Sequence, residues 1–482
     1  MSVLGDDVVF ASVREQGAML RARKIGAVEL TETCLQRLET IGPKLAAVVT
    51  VTRELALAQA HRAQQEILGG HYRGPLHGIP YGAKDLLATK GIPTTWGAAP
   101  FRGQVFDFDA TVVEKLRDGG AILLGKLAMI ELAGGLGYNS PDASFTGPCR
   151  TPWNTGYWSG GSSSGSGSAT AAGLVAFAIG SETSGSILNP ATNCGLSGLR
   201  PTYGLVSRHG AMALSWTLDK LGPLCRTADD CGLVLSVLAG TDPKDPTTEG
   251  EFAYKARGAE TGGPARRFRV GLLKNATLEA EPEVRENFLR AVEVLRTFAA
   301  VEEDVAFPDL PFGPAVDLIV SSDAASAFRG LIESGAVKQL QDRADRLGGF
   351  ASMMTLAADY VDAMRVRVKM RAALEDLLSR YDAVVAPTYG GTAEPIGYDF
   401  DKPPTPAPPP PPDDAPRAPA TVPAGNLAGQ PALCVPTGLG RNGLPTSIQF
   451  LGRAFSEATL LALADRYQQA TDWQLQRPPA QG

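Results

Sequence analysis

The sequence predicts an α/β fold built on a parallel or mixed sheet. A short apolar strand is predicted at 121–124, after a helical pattern at 110–116. A strand at 268–273 precedes a helical pattern from about 281 to 298, and a further long helical pattern covers about 351–381. Strands and helices that alternate along a chain are typical of α/β proteins, in which helices connect the strands of one sheet.

The first hundred residues predict helices, followed by a region that glycine and proline interrupt. Residues 28–68 place apolar and charged residues at helical spacing, with a break at Gly42 and Pro43. Glycine and proline at 74–80 exclude a helix immediately before Tyr81. This segment therefore leads into a new element at Tyr81.

The centre of the chain contains two segments rich in glycine and serine. Every residue at 159–168 is Gly or Ser, and a second such turn covers 180–186. The small apolar residues at 169–179 between them predict one short buried helix. Thr227 is predicted to cap a helix that ends at Leu238, because a threonine side chain can accept a backbone N–H at a helix start.

Two stretches predict irregular structure. Residues 241–267 are polar and contain Gly and Pro, which predicts a surface excursion. Residues 403–423 hold 11 prolines and predict an extended polyproline loop. A solvated spacer is the favoured interpretation of this loop, and a partner-docking motif remains the alternative.

Composition narrows the classes of function. The 45 Lys and Arg residues against 51 Asp and Glu give a net charge of −6, which argues against a nucleic-acid or anionic-membrane partner. The sequence has no run of 18 apolar residues and no basic segment before an apolar one at its start, so neither a membrane span nor a secretory signal is expected. Six scattered cysteines without a C-x-x-C pair favour reduced thiols in a cytoplasm.

Three familiar sequence patterns occur in this chain, but the functions they usually indicate are disfavoured. Residues 120–126 match the P-loop pattern, but Leu127 stands where a hydroxyl is needed for Mg²⁺. Residues 161–165 match the nucleophile elbow of α/β-hydrolases, but His209 is the one histidine that follows, and no convincing acid lies between. A flexible linker at 159–168 is disfavoured because an apolar segment follows directly.

A serine hydrolase with a lysine base fits the pattern better. A serine hydroxyl needs activation at neutral pH, and with four histidines in the chain a lysine is the available base. Lys84 is the candidate because no charged residue precedes it at 78–83, and burial would keep its amine neutral. Its neighbour Asp85 opposes this unless the carboxylate points elsewhere. The turn at 182–186 can direct successive backbone N–H groups at one oxyanion.

At these residues the chain resembles the amidase signature family, the serine hydrolases with a Ser-Ser-Lys triad. The resemblance extends from about residue 28 to 470 and is most specific at three segments, 76–85 (LHGIPYGAKD), 160–169 (GGSSSGSGSA) and 180–187 (GSETSGSI). It implies the family's α/β fold, a large mixed sheet covered on both faces by helices.

The resemblance also implies one amidase domain over residues 1–482. Its expected parts are a signature core at about 70–240, a smaller strand–helix region at about 241–380, the proline-rich loop at 403–423, and a segment at 424–482 that completes the core.

The resemblance assigns a role to each matching residue. Lys84 is implied as the general base, Ser162 as the bridging serine after a cis peptide bond, and Ser186 as the nucleophile. The backbone N–H groups of Thr183, Ser184, Gly185 and Ser186 are implied to form the oxyanion hole. Neither a metal nor an organic cofactor is expected.

Several residues depart from the family pattern. Glu182 replaces the usual aspartate, which leaves the shape of the turn open, and Ser184 replaces a frequent glycine. Leu188 stands where the tRNA-dependent transamidase branch carries an arginine, so the chain fits that branch less well. Arg200 and Asp219 are expected to support the scaffold through buried pairing.

The loops around the site suggest a substrate class. Substrate contacts are expected from Met129, Tyr138, Gly160, Gly161 and Trp216. Their apolar and aromatic character favours hydrolysis of a neutral aryl or hydrophobic amide, with esters and carbamates or urethanes as further substrates. The expected partner is thus a small molecule, with no nucleic acid and no membrane, and the chain is expected to be a monomer or a homodimer.

Two other functions stay open. One is that of a glutamine-hydrolysing component of a tRNA-dependent amidotransferase, which would depend on a partner chain. The other is a binding protein with a decayed site, against which the intact Lys84, Ser162 and Ser186 argue.

Overall fold

One mixed sheet organises the computed structural model, which describes residues 4–254, 267–402 and 416–480. Within these ranges the sheet has 11 strands in the order β1-β3-β2-β4-β6-β5-β10-β11-β9-β7-β8. The strands are β1 Val48–Val51, β2 Pro80–Lys84, β3 Ile122–Leu127, β4 Phe177–Glu182, β5 Ser197–Arg200, β6 Lys220–Cys225, β7 Phe268–Leu273, β8 Ala299–Val305, β9 Ala383–Pro387, β10 Ala432–Leu439 and β11 Pro445–Leu451.

Sixteen α-helices occur in the same described ranges. They are α1 Asp6–Val9, α2 Val13–Arg21, α3 Ala27–Thr40, α4 Gly42–Leu45, α5 Arg53–Leu68, α6 Thr111–Asp118, α7 Ser164–Ala171, α8 Leu188–Asn193, α9 Ala228–Leu238, α10 Pro282–Arg296, α11 Phe312–Ala327, α12 Arg329–Glu333, α13 Arg343–Ser352, α14 Ala357–Leu378, α15 Thr421–Ala428 and α16 Glu457–Gln469. None of them combines the length and the apolar character needed to cross a bilayer.

Apolar packing covers both faces of the sheet. Successive side chains of a strand point to opposite faces. On β10, Leu433 and Val435 belong to one buried cluster, whereas Cys434 between them belongs to another. Residues of α3, α5, α9, α10 and α16 complete the first cluster, and residues of α8, α11, α14 and α15 complete the second. The predicted fold class is therefore confirmed, a large mixed sheet with helices on both faces.

The strands that carry the site are neighbours. β2 pairs with both β3 and β4 in parallel, with Ala83 opposite Ile179. Because parallel strands end at the same edge of a sheet, Lys84 at the end of β2 lies close to the turn that follows β4. β5 pairs with β10, so the C-terminal part of the chain joins the same sheet. The proposed division into regions stays a prediction.

Several predicted elements are present. The helical pattern at 110–116 is α6, the apolar segment at 121–124 lies in β3, and the strand–helix unit is β7 with α10. Thr227 caps α9 by accepting the Asp230 backbone N–H at 3.1 Å.

The helix predicted at 169–179 is wrong in its extent. α7 begins earlier, at Ser164, and Gly173 with φ 65° follows its end, a conformation that glycine adopts at little cost. Phe177 then begins β4. All eight residues of α7 are buried, so the Gly/Ser segment is not a linker. Small side chains suit this position because α7 packs closely on its neighbours.

The long helical pattern at 28–68 hides a strand. β1 separates α3 from α5 and pairs with β3 at the edge of the sheet. Lys126 of the P-loop match lies in β3 and is fully buried, in a strand and not in a phosphate-binding loop. Of the two irregular stretches predicted, residues 255–266 and 403–415 lie outside the described residues.

Candidate active site

Lys84 lies in the interior of the protein with two serine hydroxyls beside its amine. Its Nζ is 2.7 Å from Ser162 Oγ and 2.9 Å from Ser181 Oγ, and the side chain is completely buried. Burial lowers the pKa of Lys84 to about 7, although the charges of Asp219 and Glu182 act in the opposite direction. A large fraction of the amine is therefore neutral near pH 7 and able to accept a proton.

Asp85 points away from this amine. Its carboxylate lies 3.3 Å from the buried Lys126 Nζ and accepts the Thr95 backbone N–H at 3.0 Å. Lys126 also donates to Thr94 Oγ1 at 2.6 Å and to the Leu87 carbonyl. A second lysine on the neighbouring strand thus pairs with Asp85, and Lys84 keeps its depressed pKa.

Ser162 sits on a tightly packed loop before α7. The peptide bond between Gly161 and Ser162 is cis, as the family resemblance implies. The Gly161 N–H donates to Asn189 Oδ1 at 2.9 Å, and the Ser162 carbonyl accepts the Ile130 N–H at 3.1 Å. Segments on either side therefore hold this loop.

Ser186 lies in the turn between β4 and α8. Its carbonyl accepts the Ser163 N–H at 3.3 Å, which places it next to the Ser162 loop. Gly185 has φ 87°, in the left-handed region that favours glycine. The Tyr389 hydroxyl occupies the space that a side chain at Gly185 would need. The turn is thus formed by a residue that has to be glycine, beside a nucleophile candidate that is half-buried.

The Glu182 carboxylate ties this turn together from inside. One oxygen accepts the backbone N–H groups of Ile187 at 2.8 Å and Leu188 at 3.0 Å. The other accepts from Arg200 at 3.0 Å and from Asn426 at 2.8 Å. Burial opposes its ionisation, but Arg200 and these bonds hold the pKa of Glu182 below its usual value. The longer acid is therefore fully accommodated, and the expected pairing of Arg200 is confirmed.

Asp219 anchors the other side of the turn. It accepts Thr183 Oγ1 at 2.6 Å and the backbone N–H groups of Leu214 at 2.8 Å and Ser215 at 3.0 Å. Burial raises the pKa of Asp219, and the bond from Thr183 opposes this most strongly. The candidate oxyanion residues at 183–186 thus lie between two buried carboxyl groups, of which Asp219 supports the scaffold without an arginine bonded to it.

A cavity of about 210 Å³ reaches the site from the side of Ser181 and Thr183. Its walls include Leu86, Met212 and Leu214, and Trp216 stands at its exposed end. Lys84, Ser162 and Ser186 are not among its lining residues. The cavity therefore reaches Ser181, one of the two serines whose hydroxyls contact Lys84.

The residues predicted to contact substrate are placed differently from one another. Trp216 lines the cavity, but its side chain is 62% exposed. Met129 is 1% exposed and belongs to the main apolar core, and Tyr138 packs on Trp158 and Phe400. Gly160 and Gly161 are packed against other loops: a side chain at Gly160 would meet Asn189, and one at Gly161 would meet Trp158. The apolar character of these loops therefore reflects packing more than a binding surface.

Three residues near the site were missed by sequence reasoning. Ser181 lies in the second Gly/Ser segment, the same segment as Ser186, and this was a usable signal. Asn189 also lies close to Ser186 in the sequence, but its bond to Gly161, like the proximity of Tyr389 to Gly185, joins separate segments and has no local signal. In the described ranges, no group of three His, Cys, Asp or Glu residues is arranged to hold a metal ion.

The pairing of Glu182 predicts a large effect on stability. We expect Glu182→Gln to lower the free energy of unfolding by about 3 kcal/mol, because it leaves Arg200 buried without a counter-charge. Chemical denaturation monitored by fluorescence measures this. The control is Glu375→Gln, which removes an exposed pair with Arg371 and should change stability by less than about 1 kcal/mol. Equal decreases in the free energy of unfolding in both variants would show that the buried pair contributes no more to stability than the exposed one.

Comparisons with known proteins place the chain in a family. The model of the family described as Amidase matches residues 29–461. The chain is 36% identical to a protein of Methylococcus capsulatus that is named as one of the subunits of glutamyl-tRNA(Gln) amidotransferase, over 97% of this chain and 98% of that one.

Solved structures agree with this match. The native peptide amidase of Stenotrophomonas maltophilia has 31% identity and a TM-score of 0.79, with 98% of each chain covered. The glutamyl-tRNA(Gln) amidotransferase subunit of Thermotoga maritima has 28% identity and a TM-score of 0.78, with 98% of this chain and 97% of that one covered. The family model and these full-length relatives show that the chain belongs to the amidase family, the amidase signature enzymes.

Proposed function

We propose that this amidase-family hydrolase releases ammonia from the side-chain amide of glutamine, as the glutamine-hydrolysing component of a tRNA-dependent amidotransferase. The observation that carries the proposal is the match to relatives named as components of such an enzyme, over almost the full length of both chains. The contact between Lys84 and Ser162 beside the Ser186 turn supports it, because hydrolysis of an amide needs such an activated serine.

The substrate and partners expected from the sequence are corrected by these relatives. The preference for aryl or hydrophobic amides, esters and carbamates is wrong, and so is the expectation that a small molecule is the partner and that no nucleic acid takes part. The names of the relatives, which include a tRNA and describe one component of a larger enzyme, overturn both. The physical reason is that Met129 and Tyr138, which motivated the preference, are engaged in packing.

The first half of the reaction forms an acyl-enzyme. Neutral Lys84 accepts a proton from Ser162, which accepts one from Ser186 as the Ser186 oxygen attacks the amide carbon. Backbone N–H groups at 183–186 stabilise the oxyanion, and each donor is worth about 3 kcal/mol in comparable sites. The C–N bond then breaks as Ser162 passes a proton to the nitrogen, and Lys84 returns one to Ser162.

The second half returns the enzyme to its starting state. Water attacks the glutamyl ester on Ser186 and gives a proton to the same relay. The products are glutamate and ammonia. In the proposed complex the ammonia serves the amidation of glutamyl-tRNA. A cytoplasmic location is part of the same proposal, because aminoacyl-tRNA is used there.

Leu188 occupies the position at which the transamidase branch carries an arginine. Its side chain is fully buried in an apolar cluster, and its N–H bonds to Glu182. The turn is thus complete without the arginine that the transamidase branch carries there. Whatever that arginine contributes in the branch, this chain forms its turn with the Glu182–Arg200 pair.

The test of the proposal is ammonia release from L-glutamine. We expect turnover when the chain is co-expressed with the other subunits of the Methylococcus capsulatus amidotransferase, and a loss of at least about a thousandfold in Ser186→Ala. Ser168→Ala is the control, because the Ser168 hydroxyl in α7 donates to the Arg150 carbonyl and has no role in the proposed relay.

Labelling with a fluorophosphonate, read as intact mass, reports separately whether the serine is active. A chain that is labelled at Ser186 but hydrolyses a peptide amide and never glutamine would refute the glutamine proposal. Such a result would favour a function like that of the peptide amidase. Labelling that persists in Ser186→Ala and maps to Ser163 would refute the assigned nucleophile.

The burial of Lys84 predicts a pH dependence. The fluorophosphonate labelling rate should fall about tenfold per pH unit below pH 7, because protonated Lys84 cannot accept the Ser162 proton, and should level off between about pH 7 and pH 8. Stopped-time mass spectrometry between pH 5 and 8 measures the rate. Lys84→Met should be slow throughout this range. A wild-type rate that does not change across pH 7 would contradict the role of Lys84.

A further inference from the structure

Two buried carboxyl groups lie in contact near the site, outside the proposed proton relay. Glu131 and Asp345 are both completely buried. The Glu131 carboxylate accepts the Asp342 backbone N–H at the start of α13, and Asp345 lies in the first turn of that helix, so the two carboxyl groups lie close together. Neither has a lysine, arginine or histidine among the recorded ion pairs of the described residues. Two adjacent carboxylates without a counter-charge do not both ionise readily in an apolar interior, so the pair retains one proton.

The two groups differ in their surroundings. Glu131 accepts the backbone N–H groups of Gln341 at 2.9 Å and Asp342 at 2.8 Å, which favours its ionised form. Both Asp345 oxygens are buried, and within the described residues neither accepts a hydrogen bond of normal geometry. Burial, Glu131 and Asp342 raise the pKa of Asp345, and the Leu136 backbone opposes this more weakly. These surroundings favour the ionised form of Glu131 and the protonated form of Asp345, whose proton can then be shared with Glu131.

Glu131 begins a strained turn. The turn Glu131–Gly134 contains Leu132 with φ 49° and Ala133 with φ 56°, two successive residues in the left-handed region without being glycine. Each such residue costs about 1–2 kcal/mol, so the surrounding structure has to hold the turn in place. α13, which carries Asp345, packs so closely that a side chain at Gly348 would collide with the Leu136 carbonyl.

The strained turn is directly connected to the Ser162 loop. Ile130, the residue before Glu131, donates its N–H to the Ser162 carbonyl at 3.1 Å. Glu131 itself bonds to the Ala143 carbonyl at 2.8 Å. A displacement of the turn therefore alters the support of the serine that contacts Lys84.

We infer that Glu131 and Asp345 form a proton-dependent clamp, which holds the strained turn against α13 and releases it when the shared proton is lost. At alkaline pH the proton leaves to hydroxide, and two buried carboxylates face each other. Three other charged or titratable groups lie at this place: Tyr138, Asp342 and Arg346. The Asp342 carboxylate accepts hydrogen bonds from Asn139 and Ser140, and the Arg346 guanidinium donates to backbone carbonyls. None of them neutralises the second charge. The clamp holds the turn in the same way whichever amide the enzyme cleaves.

The sign of the effect on stability follows from this arrangement. A carboxyl group with a raised pKa in the folded state binds more protons there than in the unfolded chain. Stability therefore falls as pH rises from about 4 towards the folded pKa, and then stays low. An uncharged amide at the same position escapes this loss, so Asp345→Asn should gain on the wild type as pH rises.

The test compares wild type, Asp345→Asn and the control Asp359→Asn, an exposed carboxylate on α14. We expect the melting temperature of Asp345→Asn, measured relative to wild type, to rise by roughly 2 °C or more between pH 5 and pH 9. The control difference should stay constant. The fluorophosphonate labelling rate should decline at alkaline pH in wild type and stay on its plateau in Asp345→Asn.

Parallel pH profiles of wild type and Asp345→Asn, in both melting temperature and labelling, would overturn the clamp. If Asp345→Asn does not fold well enough to measure, Glu131→Gln provides the second variant and should flatten the same alkaline decline. Because labelling needs no glutamine, these outcomes are independent of the substrate proposal.

Discussion

The hydrogen bonds of the buried Glu182 carboxylate are the constraint on which the site depends. This one group binds the backbone after Ser186, the guanidinium of Arg200 on β5, and Asn426 on α15. It thereby connects the end of β4 with parts of the chain that are far apart in sequence. A buried carboxylate is costly to dehydrate, so it is stable here because each of its oxygens has strong donors. The same bonds orient the backbone N–H groups that are proposed to hold an oxyanion.

The two buried lysines of the neighbouring strands have opposite electrostatic environments. Lys126 has Asp85 as a close counter-charge, and Lys84 has two hydroxyls and no ion pair recorded in the described residues. Burial lowers both pKa values, to about 8 for Lys126 and about 7 for Lys84. A neutral amine beside serine hydroxyls can accept a proton, whereas an amine paired with a carboxylate has a structural role. The difference arises from the direction in which Asp85 points.

Local patterns predicted the parts of the structure that depend on neighbours in sequence. The fold class and the cap at Thr227 follow from periodicity and local motifs, whereas the meeting of Lys84 with Ser162 was implied by the resemblance to the amidase signature family. The strand β1 was missed because it is only four residues long and lies directly between two helical patterns, although its sequence VVTV is apolar and rich in β-branched residues. Substrate contacts could not be predicted, because Met129 becomes core only through the folding of distant segments around it. The Glu131–Asp345 contact joins residues of separate elements, and periodicity cannot reveal such a pair.

The parallel pairing of β2 with β4 has a consequence for how this enzyme can diverge. The proposed base is carried by one strand and the proposed nucleophile follows the other, and the ladder of hydrogen bonds between the strands sets their separation. The chain between the two strands makes excursions through α6, β3 and several loops before it returns. Insertions and deletions in the loops of this segment, apart from the Ser162 loop and the turn at 131–134 that supports it, leave the pairing of Ala83 with Ile179 untouched. Evolution can therefore remodel the entrance and the partner surfaces of such an enzyme while its chemical centre stays in register.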